Sequence, residues 1–172
     1  MSGYTLSSQM GGSLQALTTT AKTQIIPSNP TAGTAKRLRV VEIELSAVSV
    51  PNATDCQIQG DLLWNSGATA GTATTATPQQ KDSGAAIATA IDTAITSGKI
   101  NFSAEPTTFT VANTWWFRGF NQRSGVLWQA APGYEIVTPS ATGTALSVGP
   151  ALRALSTNYT GNVASRIDYM EL

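Results

Sequence analysis

RLRVVEIELSAVSVPNATDCQIQGDLLW, running from Arg37 to Trp64, carries the plainest structural pattern in the chain. In its first half Val41, Ile43, Leu45 and Ala47 alternate with Glu42, Glu44 and Ser46. In its second half Cys56, Ile58, Leu62 and Trp64 alternate with Asp55, Gln57, Gln59 and Asp61. A period of two is the signature of a strand with one face buried and one wet. With Pro51–Thr54 as the turn, the two strands predict a hairpin. Its register sets Ile43 opposite Leu62, Leu45 opposite Gly60 and Ala47 opposite Ile58 on the core face. The same register brings Glu44 against Asp61 on the outer face, a mildly unfavourable like-charge pairing met first by splaying both carboxylates into solvent, or else by a neighbouring Arg, Lys or cation.

Downstream, the chain keeps returning to short β patterns. KINFS, FTVANTWWFRGF, GVLWQAA, YEIVTP, ALSVG, ALRALS and NVASRIDYMEL are punctuated by Gly, Pro and Asn. Between them, NSGATAGTATTAT at 65–77 reads as a low-complexity loop. In DSGAAIATAIDTAITSGK, Ile87, Ile91 and Ile95 recur every fourth residue, with Asp82 or Ser83 as N-cap and Gly98 as stop, which predicts one short helix over 84–97. Many strands with one helix predict a mainly β protein. The pattern allows a sandwich or a barrel, and the leading expectation is an antiparallel β-sandwich, jelly-roll-like, over residues 37–172.

Residues 1–36 are rich in Gly, Ser, Thr and Pro and hold no sustained period. Tyr4, Leu6, Leu14, Leu17, Ile25 and Ile26 are nevertheless more apolar than a solvated tail requires. These features predict an extended N-terminal arm that orders on a neighbouring subunit.

The segment TWWFRGFNQRSGVLWQAAPGYE, Thr114–Glu135, holds three of the four tryptophans. Strand alternation puts Phe109, Val111, Trp115 and Phe117 on one face and Ala112, Trp116, Arg118 and Phe120 on the other. A strand that is aromatic on both faces needs cover on both, which marks Trp116, Arg118 and Phe120 as interface candidates. The turn around NQRSG leaves two registers open, with Trp128 either opposite Phe117 or on the side of Trp116 and Arg118.

Composition narrows the function. The 172 residues fit one domain, since a chain of about 150 residues buries roughly 70% of its unfolded surface. Ten Lys and Arg balance ten Asp and Glu, and charged residues make up 12%, about half the usual ~25%. Lys36, Arg37 and Arg39 form the only local basic cluster and read as the lead-in to a strand, so no nucleic-acid partner is expected. The chain has no histidine, the commonest catalytic base and metal ligand. Cys56 stands alone in an alternating apolar context and reads as a buried thiol. The acidic pairs Asp82 with Asp92 and Glu105 with Glu135 have nothing that sets them at a glycosidase's ~5–9 Å spacing. TAGTAT and SATGTA lack the lysine of a phosphate-binding loop. No enzyme, cofactor or metal is expected. With no apolar run near the ~18 residues of a membrane span and no secretory leader pattern, the chain is expected to be made and used without export or insertion.

Several of these residues also carry a resemblance. FNQRSGVLWQAAPGYEIVTPSA and the closing NYTGNVASRIDYME resemble a family of small tailed-bacteriophage virion proteins. In that family an Asn-Gln-Arg segment leads into a strand ending Trp-x-Ala-x-Pro-Gly-x-Glu, and the last strand follows Tyr-Thr-Gly. The matching positions here are Asn121, Gln122, Arg123, Trp128, Ala130, Pro132, Gly133, Glu135, Tyr159 and Gly161. The resemblance implies a β-sandwich that decorates or cements a phage capsid, typically as a homotrimer. The implied partner is the major capsid protein and the implied location the virion, with assembly in the host cytoplasm and no catalytic residues. The competing expectation is a tail-associated or receptor-binding β module that recognises host glycan through an exposed tryptophan beside arginine.

Overall fold

A computed structural model describes residues 3–11, 13–27, 37–66, 71–81, 98–107, 109–139 and 148–172. These residues form twelve strands: β1 (Gly3–Ser7), β2 (Lys22–Pro27), β3 (Leu38–Ala47), β4 (Gln57–Asn65), β5 (Thr72–Ala76), β6 (Gln79–Gln80), β7 (Gly98–Ala104), β8 (Phe109–Asn121), β9 (Gly125–Gln129), β10 (Ile136–Val137), β11 (Gly149–Leu155) and β12 (Val163–Glu171). One 3-10 turn, Ser8–Gly11, follows β1. The helix expected over 84–97 lies outside the described residues. Gly98, expected to stop it, opens β7.

The strands make two antiparallel sheets of six. The first runs β10–β3–β12–β1–β6, with β9 beside β10 along the same flank of β3. The second runs β5–β7–β2–β11–β4–β8. One apolar core joins them: Tyr4, Leu6, Val40, Ile43, Leu45, Ile167 and Tyr169 from the first sheet meet Ile25, Ile58, Leu62, Ile100, Trp116, Phe120 and Leu152 from the second. The expected β-sandwich is therefore the fold.

No two consecutive strands hydrogen-bond to each other among the described residues. The expected hairpin at 41–64 does not form. Instead β3 pairs with β12 and β9, β4 pairs with β11 and β8, and residues 48–56 arch from one sheet to the other. The alternation nonetheless assigned the faces correctly, because Ile43, Leu45, Ile58 and Leu62 are all fully buried. Leu45 and Gly60 meet across the core rather than along a ladder: a Cβ at Gly60 would overlap the Leu45 Cδ1. One position departs from the pattern. A register shift opposite Asp168 and Tyr169 leaves Val41 half-buried and turns Val40 into the core.

The like-charge pairing expected between Glu44 and Asp61 falls away with the hairpin. Glu44 lies opposite Arg166 on β12, and the Arg166 Nη2 reaches both Glu44 Oε2, at 3.2 Å, and Glu42 Oε1. Asp61 lies opposite Arg153 on β11, which grips both carboxylate oxygens at 2.9 and 2.7 Å. Each carboxylate has its own arginine, supplied from about a hundred residues away.

The N-terminal segment is not a free arm. β1 sits inside the first sheet between β12 and β6, and β2 sits inside the second between β11 and β7. A central strand buries its backbone on both edges, and β2 buries both faces as well. Ile25 points into the main core while Ile26 joins Phe102 and Ala151 in a second buried cluster. The boundary expected at residue 36 thus does not separate arm from domain: the described residues on either side of it share the same sheets and the same core.

Candidate interaction surface

The nine residues expected at an interface divide sharply. Tyr4, Leu6, Leu17, Ile25, Ile26, Trp116 and Phe120 are buried within this chain, each 6% exposed or less, so they are core and not contact surface. Leu14 is half-buried. Arg118 alone is exposed, because β8 is an edge strand and the guanidinium escapes along the open edge to donate to its neighbour's carbonyl, Phe117 O, at 3.0 Å. Trp116 is closed off as a glycan platform.

The residues that carry the resemblance come together as architecture. The chain changes sheet between β3 and β4 and again between β8 and β9, at the same side of the sandwich, and Asn121–Ser124 locks the two crossings together. The backbone N–H of Gln122 donates to Cys56 O at 3.0 Å. Its side-chain Oε1 accepts from Asn52 N at 2.9 Å, and its Nε2 donates to Asn52 O at 3.2 Å and Thr54 O at 2.8 Å. The Gln122 side chain that makes these bonds is 2% exposed, while Asn52 is half-buried and Thr54 exposed. Arg123 adds an outer layer, donating to Asn52 O at 3.0 Å and to Asp55 Oδ1 at 2.7 Å. Cys56 is a buried free thiol beneath this clasp.

Gln122→Ala is expected to cost about 2–4 kcal/mol, because it removes three hydrogen bonds made by one buried side-chain amide. Thermal melting should show a drop of roughly 5–15 °C. Arg123→Ala should cost no more than about 1 kcal/mol, since its ion pair with Asp55 is more than half exposed on both partners.

The remaining resemblance positions have equally local reasons. Trp128 pairs with Ile43 on β3 and packs its ring on the core, which settles the register left open by sequence: it opposes neither Phe117 nor Trp116. Tyr134 N donates to Ala131 O at 2.9 Å across Pro132 and Gly133, and Gly133 has φ +87°, the geometry of a type II turn. The carboxyl of Glu135 is held below its ordinary pKa by the backbone N–H groups of Glu135 and Gly133. Gly161 is required because a Cβ there would overlap the Tyr159 ring, which is 1% exposed and reaches Ser49 O.

Among the described residues, the side of the sandwich beside this clasp is uncovered. β8 ends the second sheet and β9 ends the first. Phe117 is 53% exposed on the outer face of the second sheet, and Leu127 is 61% exposed on the outer face of the first. Trp115 and Val126 are half-buried and pack against the core. Above the outer face of the first sheet is a shallow cleft of about 430 Å³, lined by Glu42, Lys81, Gln129, Glu135, Pro132 and Met170 among others. Its charges are largely matched, with Lys81 on the buried Asp168 at 2.5 Å and Gln129 Nε2 on Glu42 Oε2 at 3.2 Å.

No described group of three or more His, Cys, Asp or Glu residues could hold a metal ion. Of the acidic pairs weighed from sequence, Glu105 is occupied in accepting from Thr23 N and Oγ1, and Asp82 and Asp92 lie outside the described residues. Of the basic cluster, Lys36 lies outside the described residues, Arg37 leads into β3 with its Nε donating to Thr138 O at 3.0 Å, and Arg39 lies within the strand. No described helix is long and apolar enough to cross a membrane.

The described residues define a two-sheet antiparallel β-sandwich and leave one apolar-rimmed side of it uncovered. No family model, curated protein or solved structure matches it. The likeness to phage virion proteins therefore rests on the quoted residues alone.

Proposed function

We propose that the chain is a structural virion protein: a capsid cement or decoration protein of a tailed phage, acting as a homo-oligomer, a trimer in the leading form, on the major capsid protein. One observation carries this reading. The positions shared with the virion family are spent on the frame. They clasp the two inter-sheet crossings, seat β9, set the type II turn and leave room for the Tyr159 ring. Shared residues that build a frame are those of a building block. A chain of which only 12% of residues are charged, with zero net charge, supports contact with other protein over contact with polyanions. Attachment belongs to surfaces of the sandwich, since the described N-terminal residues are committed to the core.

The alternative, a tail-associated glycan-binding module, draws on Tyr134, which is 81% exposed at the turn beside the 430 Å³ cleft. Cryo-electron microscopy of the virion separates the two. The expected result is density for the sandwich on the head shell, with the purified protein co-sedimenting with capsids. Density on the tail, or glycan binding abolished by Tyr134→Ala with no capsid binding, would overturn the cement reading.

A further inference from the structure

We propose that the outward edge of β9, flanked by β8, is the surface on which a second copy of this chain docks by adding an edge strand to the first sheet. The proposal rests on the homo-oligomer reading above and names the surface it uses.

The ladders fix which backbone groups are free. Ala130 N donates to Val41 O, so along β9 the residues in phase with Ala130, Val126 and Trp128, bond to β3, while Gly125, Leu127 and Gln129 turn their amides and carbonyls away from it. Gln122 N donates to Cys56 O in the same way, so Phe117 and Gly119 of β8 turn outward from β4. The bond from Arg118 to the Phe117 carbonyl agrees with that phase. β9 has no second partner strand among the described residues.

Edge strands of stable monomers are ordinarily blunted by charge, proline or a covering segment, since an unpaired edge templates association. β9, Gly-Val-Leu-Trp-Gln, has no charge and no proline, and the only charge on Thr114–Asn121 of β8 is Arg118, which is turned onto its own strand. A partner for this edge has to be a strand that is itself nearly uncharged and carries apolar side chains to meet Phe117 and Leu127. This chain itself supplies such a strand, since its β8 presents a nearly uncharged, apolar edge at the same side of the sandwich and meets β9 with no charge buried or repelled. Two edges side by side, one per sheet, also permit a β9-to-β8 contact that repeats around a closed ring, as a trimer needs.

The test uses the full-length chain in sedimentation velocity, with melts to verify folding. Leu127→Pro removes an outward amide while sparing every bond to β3, and proline is tolerated on a strand's open edge. Leu127→Lys and Phe117→Lys place charge on exposed positions and carry the same test if the proline variant melts early. Val50→Ser, at an exposed apolar residue in the 48–56 arch, is the control. The expected result is an oligomeric wild type and control, with self-association of the edge variants weakened on the order of 100-fold. An oligomer that survives all three edge variants overturns this surface but leaves the homo-oligomer reading standing. A wild type that stays monomeric overturns both. If Leu127→Pro keeps the oligomer but loses capsid binding, the edge receives a capsid strand, and the second-copy proposal is overturned.

Discussion

A chain lacking residues 1–27 is expected not to fold. Far-UV circular dichroism should show loss of the β spectrum, and heating should give no cooperative transition. The sequence by itself pointed the other way, to a dispensable arm. Deletion removes β1 from between β12 and β6 and β2 from between β11 and β7, so it detaches β6 from the first sheet, splits the second in two and exposes four new edges. It also removes Tyr4, Leu6, Leu17, Ile25 and Ile26, all buried. At about 2 kcal/mol for each buried apolar side chain, that is roughly 10 kcal/mol, comparable with the whole net stability of about 5–15 kcal/mol typical of a domain. The loss cannot be repaired by local closure: Leu6 is pressed against Gly98, where a Cβ would overlap its side chain, so its removal opens a hole beneath β7 as well. A truncated chain that melts cooperatively near the wild-type temperature would show that these strands are not part of the sheets.

The misreading of that segment has a physical source. Alternation reports a strand with one wet face, and it found β3 and β4 because their outer faces carry Glu42, Glu44, Gln57 and Gln59. β2 has no wet face: in Lys-Thr-Gln-Ile-Ile-Pro every residue after Lys22 is buried, so no period of two is written there. β1 does alternate, with Tyr4 and Leu6 buried between half-buried neighbours, but five residues rich in Ser, Thr and Gly are too few to stand out. Partnership was the other illegible quantity. A period of two says which way Leu45 and Gly60 face, and both face the core, but a turn of suitable length after β3 implied a ladder where the chain makes an arch. The pairings of Glu44 with Arg166 and Asp61 with Arg153 leave no local trace at all. Within the aromatic strand singled out from sequence, the useful distinction was lost. Trp116 and Phe120 belong to the core, whereas Phe117, assigned to the opposite face, is the exposed ring. The signal that could have located the clasp was Asn-Gln-Arg: a glutamine between two strongly apolar strands has to satisfy its amide somewhere.

Ile43→Asp is expected to abolish folding, while the adjacent Glu44→Gln is expected to melt within a few degrees of wild type. Ile43 is fully buried at the centre of β3, with Ile167 opposite it on one side and Trp128 on the other. A carboxylate there meets no donor in that shell, and burying it costs several kcal/mol through desolvation or protonation, on top of the lost apolar contact. Against a net stability of about 5–15 kcal/mol, that leaves little or nothing folded. At Glu44 the sign differs from what a hairpin would give. A like-charge partner at Asp61 would make Glu44→Gln neutral or stabilising, but the actual partner is Arg166, so neutralising Glu44 removes an attraction. The loss is small. Glu44 is 45% and Arg166 39% exposed, which places the pair in the range of about 0–1 kcal/mol, and Arg166 keeps its contact with the better-buried Glu42. Glu42→Gln should therefore cost more than Glu44→Gln, and the double variant more than either, because only then does Arg166 lose both carboxylates. Equilibrium denaturation of the three variants checks the order. A Glu44→Gln protein more stable than wild type would restore the hairpin register and overturn the pairing of β3 with β12.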